Sequence, residues 1–150
     1  MDIDNLLHEN LHAAMRDHDD LQKRVVRLLM SSIKLAEVNK GSKLDENEFI
    51  AVVQKEIKTR KDTILDAQKA SREDLISEAR DEILALEDYL PKQLTEDELV
   101  NLTRSVIQET GASSPKDMGK VLKILIPKLA GRATNQDASR VVKFCLENQA

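Results

Sequence analysis

The sequence predicts an all-α protein, with an N-terminal helical bundle or hairpin domain at residues 1–92 and a small three-helix domain at residues 93–150. Only four glycines and three prolines interrupt the 150 residues, which leaves stretches too long for a sheet protein with frequent turns. Within these stretches apolar residues recur at helical spacing, each after a capping signal. Aromatic residues make up only 2% of the chain, so aliphatic side chains must form the core.

The first two helices are marked by acidic caps and a glycine. The first helix is predicted from Ile3 to about Asp17. The second follows Asp19 and Asp20 and ends at Gly41, because glycine readily adopts the left-handed conformation that terminates a helix.

The next two helices complete the N-terminal domain. Asp45 followed by Glu48 reads as a capping box for the third helix, and Ser71 with Asp74 repeats the signal for the fourth. Pro91 is expected to stop the fourth helix. The predicted apolar stripes are Phe49, Val52, Val53, Ile57, Ile64 and Leu65 in the third helix, and Leu75, Ala79, Ile83, Leu86 and Leu90 in the fourth.

Three further helices are predicted after residue 93. Thr95 with Glu98 caps the fifth, and Gly111 ends it. The sixth begins with Ser114 as cap and Pro115 at the first helical position, where a missing N–H costs nothing. Pro127 is expected to kink or end the sixth helix, and Thr134 with Asp137, or Asn135, to open the last, whose apolar residues are Val141, Val142, Cys145 and Leu146.

Cysteine usage and the N-terminus favour a cytoplasmic protein. Cys145 is the only cysteine, so the chain can form neither an internal disulfide nor a thiolate metal cluster. The first residues resemble neither a secretion signal nor an arginine-rich transit peptide. Since no stretch is long enough to cross a membrane, no membrane partner is expected.

Charge is distributed unevenly along the chain. Net charge is −4, yet from Gly111 onward seven basic side chains face three acidic ones. Lys116, Lys120 and Lys123 recur at helical spacing opposite an apolar face formed by Met118, Val121, Leu122 and Leu125. A basic helix face is more often only a solvated surface, but this one is also a candidate contact for a polyanion.

The candidate RNA-binding residues are Lys116, Lys120, Lys123, Lys128 and Arg132. Lys128 follows Pro127, and Arg132 precedes the final helix. Between them, a turn at Gly131 could hold a phosphate. With so few aromatic residues to stack on unpaired bases, the expected partner is a folded RNA such as tRNA, and no DNA. Gly119 lies inside the same helix and predicts the close approach of another helix or of a ligand backbone, of which helix packing is the simpler interpretation.

One motif suggests a different function. His8-Glu9-Asn10-Leu11-His12 matches the H-E-x-x-H pattern of zinc hydrolases. The only other histidine, His18, is ten residues beyond His8 and about 80° away around a helix, so a third ligand is missing. We therefore interpret the two histidines as part of a polar helix flank and predict no catalytic residues, metal or cofactor.

Several segments of the sequence resemble the YqeY family. They are Gly111-Ala112-Ser113-Ser114-Pro115-Lys116-Asp117-Met118-Gly119-Lys120-Val121, Pro127-Lys128 with Gly131-Arg132-Ala133, and the upstream Val25-Val26-Arg27-Leu28-Leu29, Gln54-Lys55-Glu56-Ile57 to Arg60-Lys61 and Tyr89-Leu90-Pro91-Lys92-Gln93-Leu94. The C-terminal part is also similar to the tail domain of the B subunit of tRNA-dependent amidotransferases.

This resemblance implies a protein related to glutamine-dependent carbon–nitrogen ligation by association, since the parts that transfer the amide group in those enzymes are not recognised here. It implies a partner among tRNA or proteins of tRNA-dependent amidation or translation. One departure is that Thr134 and Asn135 stand where the resemblance leads us to expect Asp and Gly. The prediction is a non-catalytic module that docks tRNA through the basic face, with two alternatives: a protein-interaction adaptor using the N-terminal helices, and a zinc hydrolase.

Overall fold

A computed structural model of the protein describes residues 2–149, which form seven α-helices, a short 3₁₀ turn at Pro115–Asp117 and no strand. The predicted all-α class is therefore confirmed. The chain divides into two compact units, one ending at Leu90 and the other beginning at Pro91. The helices are α1 (Ile3–Arg16), α2 (Asp20–Lys40), α3 (Glu46–Lys69), α4 (Glu73–Glu87), α5 (Glu96–Thr110), α6 (Met118–Leu129) and α7 (Asn135–Glu147).

The two units follow the compositional boundary expected near residue 93, but their independence as folding domains stays a prediction. None of the helices described is long and apolar enough to cross a membrane.

The N-terminal unit has a core of aliphatic residues around one aromatic pair. Phe49 is buried on α3, and its ring meets that of Tyr89 edge to face, with 6.3 Å between the ring centres. The Asn10 side chain donates to the Tyr89 hydroxyl at 2.9 Å, which ties α1 to the end of α4. The other buried members of this core include Leu7, Val25, Val26, Leu29, Ile33, Val53, Ile57, Ile83 and Leu86.

An ion-pair network joins α2, α3 and α4. The Glu82 carboxylate on α4 accepts from Arg24 Nε on α2 and from Arg60 Nε on α3, both at 2.9 Å. Arg60 also contacts Glu56, whose other oxygen accepts from Ser32 at 2.8 Å. Glu82 and Arg60 side chains are only 14% and 13% exposed, so this pair is shielded from water. The network orients three helices around the apolar core.

The connection between α3 and α4 differs from the prediction. Ser71 does not cap α4, because its φ of +54° places it in the left-handed region. It terminates α3 instead: Ser71 N donates to the Gln68 carbonyl and Arg72 N to the Ala67 carbonyl. This paired arrangement is the Schellman motif, in which glycine usually takes the left-handed position. Arg72 then precedes α4 without a side-chain cap.

Two residues of the predicted stripes face solvent near this connection. Leu65 is 57% exposed and Leu75 is 38% exposed, whereas Ala67 and Ile76 are buried. The predicted period was therefore one or two residues out of phase here. Ala67 and Ile76 take the buried positions of α3 and α4 in place of the two leucines.

The C-terminal unit packs α5, α6 and α7 against one another around a second aliphatic core. Thr95 and Glu98 form the predicted capping box of α5, and Gly111 ends that helix in the left-handed conformation. Thr134 caps α7 by accepting from Asp137 N at 3.0 Å. Pro127 does not end α6, which continues to Leu129.

The left-handed serine gives a first test. Ser71→Gly should raise the free energy of unfolding by about 0.5–1 kcal/mol, because glycine relieves the steric cost of positive φ. Ser77→Gly is the matched control: Ser77 is exposed inside α4, where glycine should lower stability by up to about 1 kcal/mol. Urea unfolding of both variants measures these changes. Destabilisation by both substitutions would contradict the assigned conformation of Ser71.

The ion-pair network gives a second test. Glu82→Gln should lower the free energy of unfolding by about 1–3 kcal/mol, because the shielded Arg60 and the half-exposed Arg24 lose their shared carboxylate. Glu78→Gln makes the same chemical change on the same helix, but the Glu78 side chain is 52% exposed and pairs only with Arg24, at 3.5 Å. Its effect should stay within about 0.5 kcal/mol. Equal losses in the two variants would show that shielding does not matter at Glu82.

Candidate nucleic-acid interface

Three lysines lie along one exposed side of the C-terminal unit. Lys116 belongs to the 3₁₀ turn, and Lys120 and Lys123 to the first two turns of α6. Their i, i+4, i+7 spacing places them in a band about 40–60° wide and about 10 Å long. All three are exposed, and none forms an ion pair with any residue between 2 and 149. We call Lys116, Lys120 and Lys123 the lysine face.

The opposite side of α6 determines this orientation. Val121, Leu125 and Leu129 are fully buried in the core of the C-terminal unit, and Met118 and Leu122 flank them. A helix that buries these positions must turn the residues at the spacing of the lysines outward. The predicted division of α6 into an apolar and a basic side is thus present in the structure.

The Asp117 carboxylate lies at the N-terminal end of the lysine face. The Ser113 backbone N–H donates to Asp117 Oδ2 at 3.0 Å. This bond holds the pKa of the Asp117 carboxyl below its ordinary value, helped by the Ser114 N–H and the nearby Lys120 charge and opposed by desolvation. Because Asp117 already takes these donors, a phosphate on this surface would be met by lysine side chains.

Lys128 lies apart from the lysine face. It is five residues beyond Lys123, about 140° further around the helix. Its ammonium contacts Glu109 Oε2 on α5 at 2.9 Å. Both side chains are about half exposed, and such pairs contribute little stability. Lys128 can therefore exchange Glu109 for another anion at small cost.

The Arg132 side chain caps the C-terminal end of α6. Its Nε donates to the Leu129 carbonyl at 3.1 Å and its Nη2 to the Lys128 carbonyl at 3.2 Å. These are terminal carbonyls that lack partners within the helix. The side chain is thus half-buried in a capping role that sequence reasoning did not reveal. The role of Arg132 in RNA binding stays a prediction.

The turn around Gly131 is held by the segment before α5. Ala130 and Gly131 both have positive φ, at +49° and +78°. Gln93 donates to the Gly131 carbonyl at 3.0 Å, and Leu94 N donates to the Arg132 carbonyl at 2.8 Å. Asn135, which stands where a glycine is expected, is the first residue of α7 and needs no left-handed conformation. Its substitution is therefore compatible with this backbone.

Gly119 has no packing role within the described chain. A Cβ added at this residue would find no other atom within 4 Å, and the residue is exposed. The expectation that another helix packs there is therefore wrong. Glycine in a helix costs up to about 1 kcal/mol relative to alanine, so α6 carries a weak helix former on the side of its lysines without an internal reason.

The histidine motif lies on α1 with His8, His12 and the later His18 all exposed. Within the described part of the chain, no group of three or more His, Cys, Asp and Glu side chains is arranged to hold a metal ion. The third ligand that a zinc hydrolase requires is not supplied by these residues. The interpretation of the motif as a polar helix flank stays a prediction.

Cys145 lies in the core of the C-terminal unit, as its apolar position on α7 predicts. It borders a surface cavity of about 560 Å³ that Arg104 and Gln149 also line. Burial raises the pKa of the Cys145 thiol, although the nearby Arg104 acts in the opposite direction. A thiol of this kind is a poor nucleophile near neutral pH.

Fold and surface together describe a small all-α protein with one exposed lysine face. The chain belongs to the YqeY family, whose description "Yqey-like protein" applies to the match over residues 4–146. The resemblance found in the sequence is thereby confirmed.

Curated relatives come from yeasts and carry the name "Altered inheritance of mitochondria protein 41, mitochondrial". The protein of Vanderwaltozyma polyspora is 38% identical over 85 residues, 56% of this chain and 46% of the relative. That of Kluyveromyces lactis is 39% identical over 84 residues, 55% of this chain and 45% of the relative. The match thus spans about half the length of these relatives.

The predicted cytoplasmic location is contradicted by these relatives, since they are named as mitochondrial proteins, including the one from Lachancea thermotolerans. The prediction depended on a single cysteine and on the residues after Met1. A single cysteine indicates only a compartment where disulfides are not needed, and this does not distinguish one reducing compartment from another.

The bonded state of Asp117 gives a third test. Its lowered pKa means that the charged carboxyl stabilises the fold above its unfolded pKa, and that this stabilisation is lost as pH falls through the folded pKa. The stability advantage of the wild type over Asp117→Asn should be full above about pH 5 and vanish towards about pH 2. Urea unfolding across this pH range measures it. A pH-independent difference for Asp117→Asn would contradict the assigned bond.

Proposed function

We propose that the protein is a non-catalytic binding module that docks folded RNA, with tRNA as the first candidate, through the lysine face. The observation that supports this most is the outward alignment of Lys116, Lys120 and Lys123 without ion-pair partners among the described residues. Their charges are not neutralised by the protein's own carboxylates at contact distance, although the chain as a whole is acidic. Such charges are available to phosphates.

The proposed mechanism is electrostatic docking by position and shape. Lysine ammonium groups act as point charges on phosphate oxygens and carry no base specificity themselves. A band about 10 Å long spans two or three phosphates of one strand, given 1.5 Å per helical residue. Specificity for a folded RNA then comes from the shape that brings its phosphates into line with the lysines.

Lys128 and Arg132 have secondary parts in this proposal. Lys128 joins the RNA contact by exchanging its exposed pair with Glu109. Arg132 keeps its bonds to the end of α6 and supports the shape of the turn. The expected number of direct phosphate contacts is therefore four, three from the lysine face and one from Lys128, against the five that the sequence suggests.

The choice of tRNA comes from the family resemblance. The C-terminal part is similar to the tail domain of the amidotransferase B subunit, which helps that enzyme to hold its tRNA. We transfer to this chain only the binding role. Because the curated relatives are named as mitochondrial, mitochondrial as well as cytosolic tRNA belongs among the RNAs tested.

A second candidate function is protein binding by the N-terminal helices. One observation favours it: Leu35 and Val38, on the C-terminal half of α2, are 63% and 71% exposed. Isolated exposed leucines and valines are common on soluble domains, so this pair is weaker support than three aligned charges.

A fourth test is a titration of labelled tRNA against the protein at several salt concentrations. Four phosphate contacts predict that log Kobs falls with log[salt] with a slope of about −3 to −3.5, whereas five would give about −3.5 to −4.5. Lys120→Glu with Lys123→Glu should weaken binding about tenfold or more, because two attractions become repulsions.

The control is Lys55→Glu with Lys58→Glu. These lysines are also exposed on a helix, α3, at the same i, i+3 spacing, so net charge changes equally. The control should keep most of the tRNA affinity. Equal losses in both double variants would mean that only net charge matters, and unchanged binding in Lys120→Glu with Lys123→Glu would disprove docking through the lysine face.

A further inference from the structure

Gly119 is the one member of the exposed side of α6 that is not explained by the fold. Its φ is not in the left-handed region, so its backbone does not require glycine. Apart from its chain neighbours and the backbone of its own helix, no atom of the C-terminal unit comes within 4 Å of an added Cβ, so the packing of this unit does not require glycine either.

The surroundings of Gly119 are the lysine face itself. Lys116 precedes it by three residues and Lys123 follows it by four, the two spacings that place side chains beside each other on a helix. Lys120 is its immediate neighbour. Along the helix axis Gly119 therefore lies between Lys116 and Lys123, at the edge of the band of lysines, and the helix backbone is uncovered there.

We infer that an RNA sugar–phosphate strand crosses α6 at Gly119, directly against the helix backbone, with the three lysines holding phosphates on either side. This inference rests on the proposed function and adds the position and closeness of the contact. Glycine is the residue that lets another backbone approach a helix most closely. A methyl group at this position would hold the strand away and lengthen the lysine–phosphate contacts.

The composition of the face favours a polyanion over a protein. Its exposed members are Lys116, Gly119, Lys120 and Lys123, and the exposed apolar side chains on this side, Ile126 and Pro127, follow only in the next turn of α6. Protein interfaces have a central part from which charged residues, lysine above all, are depleted. A phosphate strand needs no apolar contact and is matched by spaced ammonium groups.

The experiment compares Gly119→Ala and Gly119→Leu with the wild type in thermal unfolding and in tRNA titration at fixed salt. Both variants should keep or raise Tm, because alanine and leucine are better helix formers than glycine. Both should weaken tRNA binding, by about threefold to tenfold for alanine and more for leucine, because added bulk separates the strand from α6. Ala51→Leu, at an exposed position of α3, is the control for an added apolar side chain and should leave tRNA affinity unchanged.

The outcomes separate this inference from the proposed function. Normal tRNA affinity in Gly119→Leu, together with lost affinity in Lys120→Glu with Lys123→Glu, would overturn the close contact and leave docking intact. A lack of tRNA binding by the wild type would overturn both. If Gly119→Leu instead abolishes capture of an acidic protein while tRNA affinity stays normal, the occupant is a protein and the inference is wrong. Weaker tRNA binding with undiminished Tm supports it.

Discussion

The burial of one side of α6 is the constraint on which the candidate site depends. Val121, Leu125 and Leu129 lie in the core of the C-terminal unit, and α6 cannot rotate without exposing them to water. Each such side chain contributes on the order of 1.5–3 kcal/mol when it is fully buried. The lysines on the other side contribute no comparable stabilisation to the free protein. Their outward direction is a consequence of aliphatic packing and not of any charge interaction within the chain.

Charge acts differently around Glu82 and on the lysine face. In the N-terminal unit, Glu82 lies between Arg24 and Arg60, so its negative charge pairs with two positive charges and joins three helices. In the C-terminal unit, Lys120 and Lys123 have no such partners among the described residues. The Glu82 network thus serves the packing of helices, whereas the lysine face leaves charges that a ligand can contact. An acidic chain can thus carry a local site for a polyanion.

The candidate site was only partly predictable because some of its residues also make contacts that hold the fold together. Spacing alone predicted that Lys116 and Lys120 share an exposed side, since helical geometry is regular. It could not show that Lys128 meets Glu109, because that contact joins residues nineteen positions apart. Nor could it show that Arg132 caps α6, because capping requires the chain to turn back at a particular angle. Long-range and turn-dependent contacts arise only when the helices have packed.

The sequence by itself determined the helical class, most helix boundaries and the two-sided character of α6, because capping residues and apolar periodicity are local properties. Tertiary structure decided the rest: Ser71 ends a helix where the sequence indicated a cap, and Leu65 faces water where the pattern indicated core. It also decided that Gly119 faces open solvent and not another helix. These outcomes depend on which surfaces meet in the folded protein. A periodic pattern shows that a helix has an apolar side, but it does not show which element covers that side or what approaches the opposite side.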